Sequence, residues 1–286
     1  MPLVNTTEIF ARARRAKYAV FSVVGGNLEM ALGSLQAAEA RRAPLIFVFN
    51  PGLVPAITIE LGIPMLANLA RRASVPVVVA LLNQAGDIEL TRRALDSGAS
   101  SIMFNGSALP YDENIAATGK TVALAHKAGA CVEGKLGSVA KIEAAGEGVD
   151  PVATMTDPDA AADFVARTGC DSLAISFGNA YGMYAQDATL DTARVRQIRA
   201  KVDVALVMHG GSGLVPEQYR TLIDCGITRF CYYTAMAKAV SRGQKQLLEE
   251  AGAEAVYHRQ IAAAIVHYRE ETGRLIELLG CGGAAD

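Results

Sequence analysis

The chain has 286 residues, 51% of them apolar, and a formal net charge of -2. That length suits one large domain or two small ones, and the apolar share is enough to bury a large core. The near-zero charge excludes a general attraction to nucleic acid or acidic membranes, so any anion binding must be local.

Five cysteines, Cys131, Cys170, Cys225, Cys231 and Cys281, occur without CxxC or other metal-ligand spacing. They read as reduced thiols of a cytoplasmic protein. Residues 1–20 are too polar for a secretory signal, and no apolar run reaches the roughly 18 residues of a membrane span. The expected partner is a small molecule, with neither nucleic acid nor membrane involved.

In chain order, residues 5–18 read as a helix. Eight apolar runs follow: 19–25, 44–50, 75–83, 100–106, 130–137, 172–178, 205–210 and 229–234. Several are rich in Val and Ile without polar alternation, as strands buried on both faces should be. Helical patterns come between them, with Ser, Asp or Pro at several starts and Gly at most ends. Eight such units predict an α/β fold, a single (β/α)8 TIM barrel spanning residues 1–286. Residues 138–156 read as a long Gly- and Ala-rich loop of the lid or substrate type. Residues 252–280 read as a C-terminal helical extension, and the tail from Gly280 as disordered.

In such barrels chemistry sits where strands end. The seventh run ends in His209, Gly210, Gly211, Ser212 and Gly213, and the eighth at Thr234 before a helix. Glycines let backbone N–H groups approach an anion, and a helix N-terminus adds a favourable dipole. Ser212 and Thr234 add hydroxyls, with Lys238 one turn further on. This predicts a phosphate site; the competing reading is a glycine turn without ligand.

Several ordered motifs carry a resemblance. They are Asn27-Leu28-Glu29, the stretch Asn105-Gly106-Ser107-Ala108-Leu109-Pro110-Tyr111-Asp112-Glu113-Asn114-Ile115, Val132-Glu133-Gly134-Lys135-Leu136-Gly137, Gly178-Asn179-Ala180-Tyr181-Gly182-Met183-Tyr184, and His209-Gly210-Gly211-Ser212-Gly213. In order and spacing the chain resembles the class II, zinc-dependent ketose-bisphosphate aldolases across nearly its whole length. The resemblance implies reversible aldol cleavage of a ketose phosphate, in which Zn2+ held by three histidines polarises the ketone. It also implies a homodimer or larger homo-oligomer and places Gly182 with the phosphate-binding glycines.

The departures from that pattern are selective. The family's Asp-His after the third strand is Asn83-Gln84 here, its second ligand histidine is Tyr181, and only the third survives, as His209. The Asp before Gly-Ser is Asn105, the second Glu of Val-Glu-x-Glu is Lys135, and the Asn of the eighth strand is Cys231. Catalytic zinc needs about three ligands from His, Cys, Asp or Glu, so no metal and no cofactor is predicted. His126, His258 and His267 read as surface or core residues.

Glu133 and Lys135 stand two apart on one strand and should face the same side. A lysine at a barrel mouth can form a Schiff base with a ketone and act as an electron sink. Tyr181 could then supply a proton and Glu133 or His209 act as base. The competing reading pairs Lys135 with Glu133 or with a substrate anion. Asn27, Asn50, Asn83, Gln84 and Asn105 are the candidate substrate-binding residues. The function expected is a carbon–carbon lyase of aldolase type acting on a phosphorylated sugar or related carbonyl compound without zinc. The alternative is a non-catalytic sugar-phosphate sensor or partner subunit. An apolar stripe, Ile261, Ile265 and Tyr268, suits either an oligomer contact or an internal core face.

Overall fold

In the computed structural model of the chain, residues 2–84, 86–141, 155–184 and 189–285 are described. Helix α1 (Thr6–Ala16) starts at Asn5, whose side chain accepts a hydrogen bond from the Thr7 N–H at 3.1 Å. Its Ile9, Phe10 and Ala13 are buried, and the helix packs on the first and last barrel strands.

The eight apolar runs form β1 (Val20–Gly25), β2 (Leu45–Phe49), β3 (Val77–Asn83), β4 (Ser101–Phe104), β5 (Cys131–Leu136), β7 (Ser172–Ile175), β9 (Ala205–Met208) and β10 (Ile227–Tyr232). They close into a parallel barrel in the order β1-β10-β9-β7-β5-β4-β3-β2. Closure is made by the pairing of β1 with β10, in register from Val20 opposite Arg229 to Val23 opposite Tyr232. All seven residues of β3 are buried, which explains its unbroken apolar sequence. Helices α2 (Leu28–Ala40), α3 (Ile59–Arg72), α4 (Ile88–Asp96), α5 (Tyr111–Lys127), α6 (Pro158–Thr168), α7 (Thr192–Lys201) and α8 (Pro216–Cys225) form the outer ring. This is the (β/α)8 barrel that the sequence pattern predicts.

Part of the expected loop at 138–156 is ordered differently. Ala140–Lys141 forms a short strand, β6, paired in parallel with β8 (Ala180–Tyr181) outside the barrel. Tyr181 is thereby carried on a two-stranded ribbon beyond the barrel proper. The stretch 142–154 lies outside the described residues.

After the barrel come α9 (Thr234–Ala251), a 3-10 turn (Gly252–Glu254) and α10 (Tyr257–Leu279). Helix α10 lies along α2. A Cβ on Gly33 would stand 2.3 Å from the Ile265 carbonyl oxygen and 2.7 Å from Tyr268 Cβ, so only glycine admits this approach. The stripe residues Ile265 and Tyr268 therefore serve an internal contact. The tail corrects the expectation of disorder. Cys281 is fully buried, and the Gly283 and Ala285 N–H groups donate to Arg41 and Arg42 carbonyls, each at 2.9 Å. Burial of one thiol side chain and pairing of two backbone donors hold a segment whose composition suggested none of this.

Candidate active site

The alternation of β5 turns Glu133 and Lys135 into the barrel, where they are only 1% and 4% exposed. Glu133 meets two cations from across the barrel. His209 Nε2, at the end of β9, lies 2.7 Å from Glu133 Oε1. The Arg229 guanidinium, from β10, bonds Glu133 Oε2 and reaches Ser22 Oγ at 3.1 Å. Burial pushes the Glu133 carboxyl up, but Arg229 and His209 pull it further down, so it is ionised. Burial also opposes charge on His209, yet Cys231 and Glu133 beside it outweigh this and raise its pKa to about 9. The direction of both shifts favours the charged form of each partner.

Both Glu133 oxygens are engaged. In this arrangement Glu133, His209 and Arg229 form one buried charged cluster. Arg229 and Ser22 were not anticipated. The available signal was one arginine inside an apolar run and one glutamate inside another, since buried charges must pair. Cys231 Sγ sits 3.7 Å from His209 Nε2 and accepts from Ser22 Oγ at 3.4 Å.

Lys135 does not pair with Glu133. Its Nζ donates a long hydrogen bond of 3.5 Å to the Tyr181 hydroxyl and lies 5.6 Å from that ring's centroid. Burial lowers the Lys135 pKa to about 8, against the opposing pull of Glu133 and Cys231. Burial likewise pushes the Tyr181 phenol up to about 12, so it stays protonated. The backbone of Lys135 is fixed from behind: Asn114 Nδ2 donates to its carbonyl at 3.0 Å, and Thr118 Oγ1 donates to Asn114 Oδ1 at 3.0 Å. Gly106 leaves room for this, because a Cβ there would come within 2.2 Å of Asn114 Oδ1.

The expected amides divide between mouth and scaffold. Asn105 Nδ2 donates to Gln84 Oε1 at 2.9 Å, and Asn105 Oδ1 accepts from Ser107 Oγ at 2.6 Å, so these form one polar chain at the mouth. Asn83 is fully buried and donates to the Asp87 carbonyl at 2.6 Å and Thr91 Oγ1 at 3.2 Å. Its amide donors hold the β3–α4 loop. Asn50 Oδ1 caps a turn by accepting from Gly52 N–H at 3.0 Å, and Asn27 Nδ2 donates to Glu29 Oε2 at 2.7 Å before α2. His126 pairs with Asp171 at 2.9 Å, His258 is exposed and His267 packs against Gly243, all away from this cluster.

The loop after β9 turns at Gly210 and Gly213, both with positive φ (79° and 89°). A Cβ on Gly210 would stand 2.1 Å from the Ala180 carbonyl oxygen. Ser212 Oγ accepts from the Ala235 N–H at 3.1 Å, which joins the loop to the first turn of α9, where Thr234 sits. Gly182, also at positive φ (114°), follows Tyr181 on the facing segment. The glycine loop and a helix N-terminus thus meet at the mouth, as a phosphate cradle needs.

The three positions that the resemblance assigns to zinc ligands hold an amide, a phenol and an imidazole. Gln84 is bonded to Asn105, Tyr181 faces the Lys135 amine, and His209 is bonded to Glu133. This donor set, with an amine 3.5 Å from one of its members, does not fit a zinc ion.

Fold and mouth together define a (β/α)8 barrel with an aldolase-like arrangement of motifs at its strand ends. The chain belongs to the class-II fructose-bisphosphate aldolase family, whose profile matches residues 4–284. It is 32% identical to the Escherichia coli K12 protein YdjI over 274 residues, covering 96% of both chains. It is also 32% identical to the D-tagatose-1,6-bisphosphate aldolase subunit GatY of Klebsiella oxytoca, covering 99% of both. The crystal structure of the YdjI aldolase superposes with a TM-score of 0.88 at 30% identity, covering 99% of this chain and all of the other (100%). The fructose-bisphosphate aldolase of Campylobacter jejuni shares the fold, with a TM-score of 0.83 at 17% identity over 98% of this chain and 96% of the other.

Proposed function

We propose that the protein is an aldolase-type carbon–carbon lyase that acts on a phosphorylated ketose or related carbonyl compound through Lys135 instead of zinc. Family membership and the aldolase named among its relatives support the reaction class. The single observation that carries the mechanism is Lys135, a nearly buried amine with a pKa lowered to about 8, whose Nζ is set against the Tyr181 phenol and forms no ion pair among the described residues.

In this reading the substrate phosphate rests on Gly210, Gly211, Ser212, Gly213 and Thr234, with Gly182 opposite. The Lys135 amine adds to the ketone carbon, and the ketone oxygen leaves as water, helped by the proton of Tyr181. The resulting iminium accepts the electron pair of the breaking carbon–carbon bond and becomes an enamine, while the Tyr181 oxygen that gave up its proton takes the proton of the hydroxyl that becomes the aldehyde. The fixed charges of His209, Glu133 and Arg229 organise the field around it. Gln84 and Asn105 orient substrate hydroxyls.

Borohydride reduction in the presence of a triose or ketose phosphate tests this. The expected result is one reduced adduct per chain, mapped to Lys135 and abolished in Lys135→Ala, with activity unchanged by a chelator. Activity that survives Lys135→Ala, or that a chelator removes and zinc restores, would refute it. Thermal stabilisation by the same ligands without turnover would make the protein a binding subunit instead.

A further inference from the structure

The phosphate loop is held from behind by two tyrosines that sequence motifs do not connect. The Tyr184 hydroxyl donates to the Gly210 carbonyl at 3.0 Å and accepts from the Ala180 N–H at 2.8 Å. The Tyr219 hydroxyl, from α8, donates to the Gly211 carbonyl. Tyr219 is 2% exposed, and its ring stands edge-on against Phe230 with centroids 5.1 Å apart, so the phenol has little freedom.

A trans peptide is planar, and its C=O and N–H point in opposite directions. Fixing the Gly210 carbonyl on Tyr184 turns the Gly211 N–H away, toward the Cys231 carbonyl, which it reaches at 3.3 Å. Fixing the Gly211 carbonyl on Tyr219 turns the Ser212 N–H the other way. Among the described residues neither the Ser212 nor the Gly213 N–H has an acceptor. Two successive free donors next to a left-handed glycine (Gly213, φ 89°) form an anion-binding nest.

We propose that Tyr219 is a positioning residue that locks the Gly211–Ser212 peptide with its N–H toward the phosphate of the substrate, and that Tyr184 supports it from behind by holding the preceding peptide with its N–H on the Cys231 carbonyl. The assignment rests on the phosphate reading of this loop. Without the Tyr219 hydroxyl the Gly211 carbonyl loses its fixed partner, and the peptide can rotate to present oxygen where the anion needs a donor. The cradle then binds weakly even though every glycine and Ser212 remain in place.

The test measures binding of inorganic phosphate to the full chain, by calorimetry or by protection against thermal unfolding, in wild type, Tyr219→Phe and Tyr184→Phe. Tyr111→Phe serves as control, because its hydroxyl donates to the Ala160 carbonyl at 2.9 Å on the outer helix ring. Gly213→Ala locates the bound phosphate at the loop. The expected result is phosphate affinity about tenfold weaker in Tyr219→Phe and lower in Tyr184→Phe, with no change in Tyr111→Phe even where its melting temperature falls as far. Wild-type binding that both loop-facing variants leave intact overturns the positioning role alone. No binding by wild type, or binding that Gly213→Ala does not weaken, overturns the phosphate reading and the positioning role with it.

Discussion

Glu133 sits between His209 and Arg229 with one oxygen on each, and this bonding sets the chemistry of everything near it. Replacing it by glutamine leaves the Arg229 guanidinium buried without a counter-charge. Removing one partner of such a pair costs about 3–5 kcal/mol, so Glu133→Gln should lose stability of that order in chemical denaturation. The double variant Glu133→Gln, Arg229→Met should recover part of it. The pH dependence of Lys135 trapping follows from its folded pKa of about 8, against the ordinary lysine value of 10.5. Only the neutral amine adds to a carbonyl, so the adduct rate should climb as pH rises through about 8 and level off above about 9. A rate that is flat across this window would mean that the amine is not the titrating nucleophile. Glu133, Lys135 and His209 were legible in the sequence as types near strand ends, and Arg229 was not. Nor was their pairing, because Lys135 and Glu133 share a strand face while the partners of Glu133 lie 76 and 96 residues further along the chain.

Among the helices, the contact of α2 with α10 is set by one missing side chain. A Cβ at Gly33 would collide with the Ile265 carbonyl at 2.3 Å, so Gly33→Val should force α10 outward and destabilise by about 1–3 kcal/mol. Gly119, in the middle of α5, has no atom within 4 Å of its Cβ position. Gly119→Ala should therefore stabilise by about 0.4–1 kcal/mol through the unfolded chain. Melting curves of the two variants check both signs. The sequence marks both glycines alike, as breaks in a helical pattern, and only the neighbour that approaches separates them. The same holds for the ribbon of β6 and β8. Two residues on each strand give no periodic signal, yet their pairing is what carries Tyr181 toward Lys135.

The whole barrel is closed by strands, and its lower face is finished by the chain end. Cys281 is buried, and two backbone bonds from Gly283 and Ala285 hold the turn at Arg41 and Arg42, where Arg42 takes a left-handed φ of 49°. Deleting residues 281–286 should cost about 2–4 kcal/mol in denaturant unfolding, without moving the mouth. An unchanged midpoint would show that the tail contributes nothing to the fold.

The sequence by itself determined the (β/α)8 barrel, the family and the place of the glycine loop after the seventh barrel strand, because apolar runs, helix stops and ordered motifs are local properties that survive without coordinates. Only the tertiary structure decided that Asn83 bonds the β3–α4 loop, that both Glu133 oxygens are engaged, that Arg229 pairs with Glu133, that the Tyr219 hydroxyl meets the Gly211 carbonyl and that the tail is packed. Each of these depends on which distant groups a buried polar atom finds as partners. In a closed barrel that choice is made by strand order and register, which no short stretch of sequence encodes.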